Sequence, residues 1–89
     1  MTWQIKWNDS AAKELRKLDH HEQKQIIEYL HGRIASNENP RRFGAALSGD
    51  KSGLWRYRVA DYRIICSLED DIATVLVIRI GHRRDVYNK

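Results

Sequence analysis

Two groups of residues in this chain have types and spacing suited to chemistry on a phosphodiester. The first is Arg56, Arg58 and Arg63; the second is the basic ending Gly81-His82-Arg83-Arg84-Asp85-Val86-Tyr87. Guanidinium groups stay charged at any physiological pH and present forked donors to phosphate oxygens. Side chains alternate across a strand, so Arg56 and Arg58 share one face while Trp55, Tyr57 and Val59 share the other. If Ala60-Asp61 is a two-residue turn, Arg58 lies directly opposite Arg63. Like charges facing each other cost a few tenths to about 1 kcal/mol, and a bound anion would relieve that cost. The bland reading stands beside it: exposed arginines also keep a sheet face wet and its edges unpaired. From the patch alone both remain open.

The ending adds two more arginines, a histidine and an aromatic ring. Gly81 permits a sharp bend out of the last strand. Tyr87 offers a flat ring on which an unstacked RNA base could lie, although a near-terminal tyrosine can equally fold back over a core. Arg79 and Arg84 extend the same basic region. Other candidates are weaker. Glu69-Asp70-Asp71 reads as a solvated turn rather than a metal site, and His20, His21 and His31 lack a ligand partner at zinc spacing. Cys66 shares a strand face with Tyr62 and Ile64, the pattern of a packed thiol rather than a nucleophile. No glycine-rich phosphate loop is present. The expectation is chemistry with neither metal nor cofactor.

These groups need a sheet to hold them. Trp3, Ile5 and Trp7 alternate with polar residues as a short strand. Asn8-Asp9-Ser10 can cap a first helix carrying Ala11, Leu15 and Leu18. A second helix starts at Asp19 or His20, with Asp19 and Glu22 at capping-box spacing. Its stripe is Ile26, Ile27, Leu30 and Ile34, and it ends near Ser36-Asn37. Residues 38–53 form a loop pinned by Phe43 and Leu47. The period then switches to two over residues 54–59, 62–68 and 72–80, giving an antiparallel meander. The fold class is α+β in the order β-α-α-β-β-β, with a two-helix hairpin on one face of a small, mostly antiparallel sheet.

Eighty-nine residues make a single domain spanning 1–89, and a chain of this size buries only roughly 60–65% of its unfolded surface. Sixteen Lys and Arg against twelve Asp and Glu give a formal charge of +4, which favours polyanionic partners. No apolar run reaches membrane-spanning length, and the first residues do not read as a signal peptide. One cysteine cannot staple a secreted fold, so a reducing cytoplasm is the expected location.

The block Gly53-Leu54-Trp55-Arg56-Tyr57-Arg58-Val59-Ala60-Asp61-Tyr62-Arg63, together with Gly81-His82-Arg83-Arg84-Asp85-Val86-Tyr87, resembles the RelE branch of the RelE/ParE toxin superfamily over nearly the whole chain. The resemblance implies the toxin of a type II toxin–antitoxin pair, silenced by a RelB-like antitoxin. Operator DNA would be a further partner of the toxin–antitoxin complex. It also implies an endoribonuclease that enters the ribosomal A site, beside 16S rRNA, and cuts messenger RNA. Position by position, the family's basic strand residues fall on Arg56 and Arg58, and its next-strand arginine on Arg63. Its post-glycine arginine falls on Arg83 and its terminal tyrosine on Tyr87.

Well-known members carry lysine where this chain has Arg56 and Arg58. Arginine does not give up its proton, which leaves the identity of the general base open, and His82 is the substitute by chemistry. The catalytic set is therefore Arg63, Arg83, Tyr87 and His82. Arg56, Arg58, Arg79 and Arg84 are the RNA-binding set. Two rivals are a ParE-like inhibitor of DNA gyrase and a non-catalytic RNA-binding or antitoxin-partner protein.

Overall fold

The structure is a computed structural model that describes residues 3–49 and 53–82. Its first strand, β1 (Gln4–Trp7), leads into α1 (Asp9–Arg16) and α2 (His20–Tyr29). After one 3-10 turn at Pro40–Arg42 come β2 (Ala45–Ala46), β3 (Trp55–Val59), β4 (Tyr62–Glu69) and β5 (Thr74–His82). The sheet order is β1-β5-β4-β3-β2, with β1 parallel to β5 and the other pairs antiparallel. The α+β class and the helix hairpin on one sheet face follow the sequence reading. The two-residue β2 is an addition, lying inside the segment read as loop.

Local chemistry accounts for the helices. Asn8 Oδ1 accepts the Ala11 amide at 2.8 Å and caps α1, satisfying one of the donors a helix start leaves over. Asp19 precedes α2 without a side-chain bond, so the capping box expected of Asp19 and Glu22 does not form. Instead Gln23 reaches back to the Leu18 carbonyl at 2.8 Å. The α2 pattern breaks after Tyr29 into a π-turn at Leu30–Ile34, closed by the Ala35 amide on the Leu30 carbonyl at 2.8 Å.

Ala11, Ile26, Leu30 and Ile34 pack on Tyr57, Ile64, Cys66, Val75, Val77 and Ile80 to form the core. Ile27, one residue on from Ile26 and so about 100° round the helix, is exposed rather than part of the stripe. The loop before β3 is held by one buried and one half-buried handle. Tyr57 donates its hydroxyl to the Pro40 carbonyl at 2.6 Å, and Trp55 donates its indole N–H to the Phe43 carbonyl at 2.7 Å. Tyr57 is thus wholly interior and offers no apolar surface to a partner. Arg41 and Asp70 add a two-bond ion pair from the 3-10 turn to the β4–β5 connection, both bonds 2.9 Å.

Candidate nucleic-acid interface

The β3–β4 hairpin turns through Ala60-Asp61, pairing Val59 with Tyr62 and Arg58 with Arg63. Paired residues share a face, so the sheet side away from the helices carries two ranks. One runs Arg56, Ile65, Arg79; the other runs Arg58, Arg63, Gly81. Neighbours within a rank stand about 5 Å apart, close enough for one phosphate group to meet two of them. Gly81 contributes no side chain beside Arg63.

A bulge in β5 is what brings Arg79 into this set. Ile65 pairs with Arg79 but Cys66 pairs with Val77, so Ile78 is the extra residue. Simple alternation would send Arg79 to the same side as Val77, which is buried under the helices. The extra residue reverses the parity, a recognised use of bulges. Ile80 and His82 consequently point to the helix side.

The individual side chains differ in setting. Arg58 is exposed and Arg56 half-buried. Arg63 is only 2% exposed, against the expectation of an open guanidinium. It lies on the central strand of the sheet, between Arg58 of β3 and Gly81 of β5. Arg56, Arg63 and His82 each take part in further interactions within the protein, as a buried charge such as that of Arg63 requires. His82 sits against Tyr62 with ring centroids 5.6 Å apart and planes at 85°. It is therefore on the face opposite Arg58 and Arg63, and the sheet does not bring it to them. Arg79 has its Nε 3.8 Å from Glu14 Oε2. Arg83, Arg84 and Tyr87 lie outside the described residues.

Among the remaining titratable groups, burial pushes the Cys66 thiol up to about 12, leaving it protonated and inert. Burial also raises Tyr62, with a hydrogen bond to Glu22 adding to it. One residue of the neighbourhood escapes sequence reasoning altogether. Glu14, on α1, accepts the Ile80 amide at 2.7 Å across 66 residues of chain. Nothing local in Lys13-Glu14-Leu15 signals that contact.

A five-strand sheet under a helix hairpin, with guanidinium groups ranked on the face away from the helices, is the architecture of a small RelE/ParE-type toxin. The RelBE2 toxin–antitoxin complex of Mycobacterium tuberculosis contains a chain that superposes with a TM-score of 0.85 at 24% identity, covering 93% of this chain and 100% of that one. By sequence the chain is 26% identical to toxin RelG of Mycobacterium tuberculosis over the full length of both. It is 31% identical to toxin RelE of the same organism over 88% of this chain and 78% of that protein. The family "ParE toxin of type II toxin-antitoxin system, parDE" matches residues 5–87. The chain belongs to this family and is a type II toxin of the RelE/ParE superfamily.

Proposed function

We propose that this toxin is a ribosome-dependent endoribonuclease that cuts messenger RNA in the A site and is held silent by a RelB-like antitoxin. The observation that carries the reading is the doubled rank of arginines on one sheet face, with Arg58 set opposite Arg63. Such a pair is unfavourable in isolation and favourable around an anion. The RelBE2 complex, a toxin bound to its antitoxin, supports the choice of partner.

In the proposed reaction the 2′-hydroxyl attacks the adjacent phosphorus and the 5′-oxygen of the next nucleotide leaves. The products are a 2′,3′-cyclic phosphate and a 5′-hydroxyl. Negative charge grows on the non-bridging oxygens, where fixed cations act without reorganising, each donor being worth about 3–4 kcal/mol. Exposed Arg58 and half-buried Arg56 grip the backbone, while Arg63 supplies positive potential from beneath them. By the family resemblance Arg83 meets the developing charge, and Tyr87 stacks a base and turns the hydroxyl in line. Arg79 and Arg84 strengthen the field. His82, on the other face, is given no proton; a ribosomal group or water takes the 2′-hydroxyl proton, and a ribosomal group or water returns one to the departing 5′-oxygen.

Primer extension on messages from cells expressing the chain should show discrete cuts, together with arrested translation and unchanged DNA supercoiling. Altered supercoiling with intact messages would favour gyrase inhibition, the reading that the parDE family name keeps in play. Intact messages with normal supercoiling would leave a non-catalytic antitoxin partner.

A further inference from the structure

We propose that Glu14 is a positioning residue, a latch that fixes the last stretch of β5 and with it the approach of the basic ending to RNA. The proposal rests on the ribonuclease reading above. β1 pairs with β5 only over Thr74–Val77. The last strand-like contact on that side is the Asn8 amide on the Val77 carbonyl at 3.0 Å. The chain then turns away into α1, so among the described residues β5 from Arg79 onward has β4 on one side and no strand on the other. Glu14 fills that place, its Oε1 accepting the Ile80 N–H at 2.7 Å. A carboxylate acceptor makes a charge-assisted bond roughly twice as strong as a neutral one.

The position of Glu14 is wrong for the helix that carries it. It lies in the closing turn of α1, among Lys13 and Arg16, where the helix dipole disfavours an anion. Its role is therefore to be sought across the gap rather than within α1. There it does two things: it holds a backbone amide, and it stands 3.8 Å from the Arg79 guanidinium. The first sets the direction in which Gly81 and His82 lead, in sequence, to Arg83. The second keeps part of the Arg79 charge away from phosphate. These roles separate by substitution, because glutamine still accepts a hydrogen bond but carries no charge, and alanine does neither.

The test uses the full-length protein, its E14Q and E14A variants, and ribosomes programmed with a defined message. Single-turnover cleavage is measured against toxin concentration, and exchange of the Ile80 amide is followed by NMR. The expected result for Glu14→Ala is a maximal rate down about 10- to 100-fold, half-saturation within about twofold of the parent, and loss of Ile80 protection. Glu14→Gln should restore the rate and the protection, with binding equal to or tighter than the parent's. Parent-like cleavage by Glu14→Ala, unchanged Ile80 exchange, or equal loss in both variants would overturn the proposal. So would rates that merely follow melting temperature. Failure of the parent to cut would instead overturn the ribonuclease reading, and Ile80 exchange would still report on the latch.

Discussion

At the scale of single residues, the arginine face makes stability and binding pull in opposite directions. Arg58 is exposed and faces Arg63 directly. Replacing it with alanine should raise stability by a few tenths to about 1 kcal/mol, seen as a higher melting temperature. The same change should weaken RNA binding; a variant both less stable and equally tight would refute the assignment. Titration gives a second expectation. Burial raises the Cys66 thiol from 9.0 to about 12 and raises the Tyr57 phenol above its ordinary 10.0. The unfolded chain releases these protons first as pH climbs, so their contribution is complete below pH 9 and drains away above it. Denaturant midpoints should hold between pH 7 and 8.5 and fall between pH 9 and 11. In the folded protein at pH 8, Cys66 should resist a disulfide reagent until denaturant is added.

Elements decide where those residues go, and a glycine in the loop before β3 is essential to one of them. Gly44 has φ +78°, and a Cβ there would press on the Arg56 carbonyl and stand 2.8 Å from Trp55 Nε1. Gly44→Ala should cost at least about 2 kcal/mol by combining left-handed strain with overpacking, measured by urea titration. Because it displaces the strand bearing Arg56 and Arg58, RNA binding should suffer as well. Much at this scale was legible in the sequence. Two-residue alternation placed Trp55, Tyr57 and Val59 against the helices, and Ala60-Asp61 fixed the Arg58–Arg63 register. Asn8 announced the start of α1. Features that depend on distant parts of the chain were not legible. The bulge at Ile78 is a property of the β4–β5 pairing, and neither strand's own pattern signals it. No local pattern around Arg63 signals its burial, and the place of His82 follows from the bulge. The capping box is absent, with Asp19 making no side-chain cap bond, and Glu22, its expected other half, is engaged by Tyr62 from a distant strand.

For the molecule as a whole, a charge of +4 concentrated in part on one sheet face implies affinity governed by counterion release. Three phosphate contacts on a single strand would give a log–log salt dependence with a slope of about −2. Raising salt from 50 to 200 mM should therefore weaken binding to a short RNA by more than tenfold, and a flat dependence would remove the backbone grip. The bulge has an architectural corollary of its own. Without Ile78, Val77 would still meet Cys66 and Arg79 would still meet Ile65, so every pair in the β4–β5 ladder survives a one-codon deletion. What vanishes is the additional coil that a surplus residue imparts to a strand end. A shortened toxin that melts like its parent yet spares messenger RNA would mean that this coil aims the chain's terminus, a duty invisible in any inventory of its amino acids.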